Sequence, residues 1–370
     1  MPLGLLVLDI YPGSSVYVDD GVRMHLIMSL VTLLGAWTGF SGYLHNKDRI
    51  EKTQWILRYQ SFLSFVLIFV ITSGIWFSYM SRPATSTFTD YLAQLAAADP
   101  TVRMQYELSS SAGGAPGIYK FLSFGLNGAL VALGSVRAIS RQIPGNRDKW
   151  TILFLYAVSA MIFKTIIALD RAGALLIFLV VGYDVVASGR LNRVRILALT
   201  GFAVIVFSAL AAVRQQGLGP IEALLVYAAH GISNFGLVLN APSCLDYGGN
   251  TFLAPLFFVI SRLTGFDLLA DCAINTWDWN PAHYFFSSLF LDFSYAGLVL
   301  CWLIGYAVVS LDIAAHRGKI LALAANHQAV VAVITMIGVT TLRSIELYYA
   351  VAVAWVLLRI AVYREGTKEA

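Results

Sequence analysis

The sequence predicts an all-α integral membrane protein, with about nine transmembrane helices and one long external loop carrying short helices. Three observations predict it. The chain is 58% hydrophobic and only 12% charged, whereas a soluble domain carries about a quarter charged residues. Its apolar runs reach about 17–25 residues, the length needed to cross a hydrocarbon core. Its Lys and Arg gather in alternate gaps between those runs.

The apolar runs lie near 24–42, 56–80, 117–136, 150–169, 172–189, 195–213, 285–310, 320–341 and 346–362. They are spread along the whole chain, so residues 1–370 read as a single polytopic membrane domain. Backbone groups in lipid must be satisfied within their own segment, which makes the segments helices. The alternating pattern of a membrane barrel is absent from them. Met1 to Ile10 is apolar but short and lacks a basic leader, so no cleavable signal peptide is expected there.

Orientation follows from the basic residues. Sixteen of the 25 Lys and Arg fall in one set of gaps: Lys47, Arg49, Lys52, Arg58, Arg137, Arg141, Arg147, Lys149, Arg190, Arg193, Arg195, Arg317, Lys319, Arg359, Arg364 and Lys368. Eight fall in the opposite set: Arg23, Arg82, Arg103, Lys120, Arg171, Arg214, Arg262 and Arg343. The first set is expected in the cytoplasm. An odd number of spans then puts the N-terminus outside and the C-terminus inside. The net charge of +4 is accounted for by these loops and gives no nucleic-acid footprint.

Two external segments are long. Residues 81–116 are polar and rich in small side chains. Residues 214–281 form the large loop, with two apolar stretches, Ile221–Tyr227 and Phe252–Ile260, each too short to cross. Long ordered loops tend to be functional. Cys244 and Cys272 both fall in this loop. A disulfide between them and two free thiols are both open if the outside is oxidising.

The residue types that carry chemistry cluster on the external side. In Leu169–Asp170–Arg171–Ala172–Gly173 two spans meet with almost no loop. Arg171 is either an interface anchor paired with Asp170 or an anion clamp, since a guanidinium offers a planar fork of donors to phosphate or carboxylate. Arg214 ends the sixth span on the same side, as a snorkelling helix end or as a second guanidinium at the same depth. Lys164 lies six residues inside the outer end of its span and seven before Arg171, about two helical turns, so the two share a face. A buried ammonium is costly, so Lys164 either snorkels outward or faces a polar cavity near Arg171.

His230 lies in the long loop. His283 follows a Pro turn and starts a span, among Trp277, Trp279, Asn280, Tyr284 and Asp292. Aromatic residues at this depth form an interfacial belt and also stack on sugar rings. A neutral His there can take a proton from a hydroxyl. Arg343 completes the external polar set. The sequence holds no HExxH, no CxxC pair, no P-loop and no GxGxxG after a strand. Neither a metal site nor a cofactor site is therefore expected.

In layout and short motifs over 150–310 the chain resembles bacterial O-antigen or exopolysaccharide repeat-unit polymerases of the Wzy type, which are related to O-antigen ligases. That family carries an external Arg, ten residues, then Gly, and Arg171 and Gly182 keep that spacing. Its second motif is Arg, fifteen residues, then Gly. Arg214 and Gly231 are one residue farther apart. Asn280–Pro281–Ala282–His283–Tyr284 leading to Asp292 and Gly297 is similar to the family's entry into a late helix. Related ligases have Asn after the His, where this chain has Tyr284.

The resemblance implies a metal-independent glycosyltransferase of the bacterial inner membrane, with no cofactor. The external face becomes periplasmic, with a periplasmic N-terminus and a cytoplasmic C-terminus. The substrate would be an undecaprenyl-diphosphate-linked oligosaccharide, with a chain-length co-polymerase and a flippase as partners. Arg171, Arg214 and His283 would be catalytic. Lys164, His230, Trp277, Trp279, Asn280, Tyr284, Asp292 and Arg343 would contact substrate. A ligase-type glycosyltransferase and a transporter or flippase of lipid-linked sugars remain alternatives.

Overall fold

The computed structural model describes residues 18–45, 55–57, 59–82, 87–96, 115–140, 147–168, 171–187, 201, 235–236, 238–239, 253–264, 285–317, 319–334 and 345–364. Among these the fold is almost entirely helical: α1 (Val18–His45), α2 (Gln60–Met80), α3 (Phe88–Ala96), α4 (Ala115–Ser123), α5 (Gly125–Ser140), α6 (Arg147–Ala168), α7 (Arg171–Ala187), α8 (Ala254–Thr264), α9 (Phe285–Phe293), α10 (Gly297–His316), α11 (Ile320–Ile334) and α12 (Ile345–Ala361). Two three-residue strands, β1 (Trp55–Leu57) and β2 (Val362–Arg364), pair antiparallel.

Five stretches are long and apolar enough to cross a membrane: Asp20–Gly42, Gln60–Met80, Ile118–Ser140, Trp150–Ile167 and Ser288–Ala315. α7, α11 and α12 fall on three further expected runs. The run at 195–213 apart from residue 201, the stretch Ile221–Tyr227 and both loop cysteines lie outside the described residues. The short apolar stretch at Phe252–Ile260 lies largely in α8, whose 11 residues are about 17 Å long and too short to span.

The chain divides into two compact units. The first holds α1, α8, α9 and α10 up to Ile313. α1 and α10 touch backbone to backbone. A Cβ on Gly35 would overlap the Trp302 carbonyl, and one on Gly305 would overlap the Thr32 carbonyl. In lipid there is no hydrophobic gain from pairing two apolar helices, so close approach through small residues supplies the contact. Met28, Phe286, Leu289 and Cys301 pack together beneath. Leu30, Leu33, Trp37 and Val299 remain more than 60% exposed, which suits faces solvated by lipid.

The expected run at 285–310 is not one helix. α9 stops at Phe293, a single 3-10 turn spans Ser294–Ala296, and α10 begins at Gly297. Ser294 takes φ of +49°, a left-handed conformation that costs a non-glycine residue about 1 kcal/mol or more. Gly297 folds back towards the Leu289 carbonyl, 3.2 Å from where its Cβ would stand. Helix-favouring apolar residues on both sides conceal this break in the sequence.

The second unit is built on α5. Of the span formed by α4 and α5, 78% is buried, against 33% for α2. Small residues allow this. A Cβ on Gly128 would stand 2.5 Å from the Ala350 carbonyl oxygen, so α12 lies directly on the α5 backbone. α2, α6 and α7 pack on the other sides of α5. At one end of the unit Leu57, Ile139, Trp150, Ala361 and Val362 join one core cluster, around the β1–β2 pair. At the other end aromatic rings meet: Phe77 with Tyr119, Tyr79 with Phe88, Phe88 with Phe163, and Phe121 with Tyr349. The start of the run expected at 56–80 is thus a strand rather than helix, because Trp55–Leu57 pair with the chain that leaves α12.

Candidate functional site

Two of the predicted site residues, Lys164 and Arg171, lie on α6 and α7. α6 ends at Ala168 and α7 begins at Arg171, so Leu169 and Asp170 alone connect them. The two helices pack on one another as a hairpin. Arg171 is the first residue of a 17-residue helix with no acidic residue in its first turn.

Lys164 sits four residues before the end of α6, about 6 Å below it along the helix. It does not snorkel outward: its side chain is only 1% exposed. Nζ donates to Asn127 Oδ1 of α5 at 2.8 Å and lies 3.5 Å from the centre of the Phe124 ring. An amide oxygen and a ring face are both suited to an ammonium in apolar surroundings. The result is an ammonium fixed about one turn before α6 ends; because Arg171 begins a separate helix, the two do not share one helical face as the seven-residue spacing suggests. Thr165, the next residue, is also buried, with no hydrogen bond to Oγ1.

The end of α6 is held from a second side. α3 opens on a Thr87–Asp90 capping arrangement, in which the Asp90 N–H donates to Thr87 Oγ1 at 3.2 Å. One residue later the Tyr91 hydroxyl donates to the Ile167 carbonyl at 2.5 Å. Tyr91 is 1% exposed, and burial pushes its phenol up to about 12. Phe88 and Phe163 surround the pair.

Asp292 belongs to the first unit. It is buried in the last turn of α9, with Ser288 buried one turn earlier. A carboxylate at a helix C-terminus faces the wrong end of the dipole, and the strained Ser294 follows two residues later. Two local costs at one place mark a position shaped by more than packing. In the same unit the His25 ring lies 5.5 Å from that of Phe286.

Of the predicted site residues, Lys164 and Arg171 are brought within one hairpin, and Asp292 is placed in the other unit. Arg214, His230, Trp277, Trp279, Asn280, His283, Tyr284 and Arg343 lie outside the described residues. Tyr91 and Asn127 were missed by sequence reasoning. Asn127 carries a faint signal, a lone amide among small apolar residues; Tyr91 carries none. A further polar group, Asn326–His327–Gln328 in α11, does have a signal: three consecutive polar residues in an apolar helix. His327 is 6% and Gln328 3% exposed. Among the described residues, no group of three or more His, Cys, Asp or Glu is placed to hold a metal ion. Comparison with family models, with curated proteins and with solved structures finds no match.

Proposed function

We propose that this protein polymerises undecaprenyl-diphosphate-linked oligosaccharide repeat units into O-antigen or exopolysaccharide. In this reading about nine spans lie in the bacterial inner membrane, with the N-terminus periplasmic and the C-terminus cytoplasmic. The observation that supports it most is the buried Lys164 ammonium, about one turn before the end of α6, in the same hairpin as Arg171 at the start of α7. An ionisable residue buried inside a membrane span is a functional-site candidate by default. The family resemblance supplies the anion, the diphosphate of the donor.

The chemistry is a glycosyl transfer. A hydroxyl of the incoming repeat unit attacks the anomeric carbon of the growing chain. A new glycosidic bond forms, the sugar–phosphate bond breaks, and undecaprenyl diphosphate leaves with the charge. Arg171 and Arg214 stabilise that charge as it develops, as fixed donors do in an oxyanion site. His283 takes the proton of the attacking hydroxyl. The test is complementation in the host strain lacking this gene. Arg171→Ala and Arg214→Ala should each abolish long-chain glycan while leaving single repeat units on the outer glycolipid. Unchanged long chains with both variants would remove this assignment. Loss of single units as well would point to a ligase.

A second reading, transport of lipid-linked sugars, is favoured by one observation. The stretch Ser288–Ala315 is broken at Ser294, beside the buried Asp292, and transporters place broken helices and charges within the membrane. Turnover of substrate by detergent-solubilised protein, which has no two sides to transport between, would exclude it.

A further inference from the structure

The last two turns of α6 are tied down by two residues far away in sequence. Ile167 offers one of the four terminal carbonyls that its own helix cannot satisfy. The Tyr91 hydroxyl, 76 residues away, fills that role at 2.5 Å. Lys164, one turn earlier, is fixed to Asn127, 37 residues away, at 2.8 Å. Asn127 rides on α5, the most enclosed helix of the unit. Tyr91 rides on α3, whose own start is set by Thr87. Two elements, α3 and α5, are therefore locked to the last two turns of α6.

We propose that Tyr91 and Asn127 are positioning residues for Arg171. Neither is assigned a contact with substrate; both act by fixing where and in which direction α7 starts. The proposal rests on the polymerase reading for what Arg171 does once placed. A guanidinium that stabilises a leaving diphosphate must be held to well under 1 Å, because a shift of about 1 Å can cost about a hundredfold in rate. Because α6 and α7 pack on one another, fraying at the end of α6 disturbs the helix that Arg171 begins. Removing either tether should leave binding largely intact and weaken transition-state stabilisation, which lowers kcat more than it raises KM.

The experiment uses the full-length purified protein in detergent, as wild type, Tyr91→Phe, Asn127→Leu and Asn127→Asp. Amide hydrogen exchange is followed in the peptide covering 166–173, and kcat and KM are measured with the host's lipid-linked repeat units. Tyr91→Phe keeps the ring and its packing. Asn127→Asp keeps an oxygen acceptor for the ammonium. In Tyr91→Phe and Asn127→Leu, exchange at 166–173 should rise about tenfold as local opening becomes easier. kcat should fall about tenfold with KM within about twofold. Asn127→Asp should retain both protection and kcat, which a merely structural loss of fold would not reproduce. Unchanged exchange in both Tyr91→Phe and Asn127→Leu overturns the proposal whatever the activity. Raised exchange with unchanged kcat overturns it too. Raised exchange with Arg171→Ala as active as wild type overturns instead the polymerase role of Arg171, and leaves the tethering of α7 standing.

Discussion

The Lys164 ammonium donates to the Asn127 side-chain oxygen across 2.8 Å, and both side chains are buried. This one bond joins the most enclosed helix of the second unit to the hairpin that carries Arg171. Its energetic weight comes from asymmetry. A made bond between buried groups contributes about 1 kcal/mol, but a buried partner left alone costs about 1–3 kcal/mol.

A double-mutant cycle reads that asymmetry. Lys164→Met should lower the unfolding free energy of the purified protein by about 1–3 kcal/mol, because the Asn127 amide is stranded. Adding Asn127→Leu should restore part of the loss, giving a coupling of about 1 kcal/mol or more. Additive effects of the two substitutions would show that the bond contributes nothing specific.

Tyr91 gives a pH signature. Burial holds its phenol at about 12 in the folded protein, above the ordinary value of 10.0. The unfolded chain therefore releases this proton first. Its contribution to stability is complete below pH 10 and is lost as pH rises through about 12. Thermal unfolding followed from pH 9 to 12 should fall less steeply for Tyr91→Phe than for wild type. Identical slopes would mean the phenol is not held neutral.

Gly182 separates a spacing pattern from a packing need. The resemblance pairs it with Arg171, yet a Cβ there meets nothing within 4 Å. Gly182→Ala should be neutral or stabilising by up to about 1 kcal/mol, the usual helix gain, with long-chain glycan retained in cells. Gly128→Val should lose more than about 2 kcal/mol, because its Cβ would press on the Ala350 carbonyl at 2.5 Å. If Gly182→Ala removes the glycan product, the glycine matters for something other than helix packing.

What the sequence makes legible follows from range. Apolar runs are local, so the runs read at 56–80, 150–169 and 285–310 overlap helices α2, α6, α9 and α10, though their ends and the break in the last do not follow from composition. The inward turn of Lys164 depends on an acceptor 37 residues away. The cap on Ile167 depends on a phenol 76 residues away. No periodicity reports such pairs. The break at Ser294 is hidden for another reason: Phe293–Ser294–Tyr295–Ala296 has no proline, and its only glycine neighbour, Gly297, adopts an ordinary helical φ of −56°.

That break is testable in turn. Ser294 holds a left-handed φ of +49°, which glycine adopts without penalty. Ser294→Gly should therefore raise stability by about 1 kcal/mol. A loss of stability instead would show that the serine side chain, rather than the bend, is what this turn requires.

The measurement that bears most directly on the central claim is polymerisation by the purified protein in detergent, supplied with undecaprenyl-diphosphate-linked repeat units from its own host. The account predicts a ladder of longer glycans with undecaprenyl diphosphate released in step, at least about a hundredfold weaker with Arg171→Ala. Substrate recovered unchanged by wild-type protein that is folded and monodisperse, or a ladder equally strong with Arg171→Ala, would contradict it.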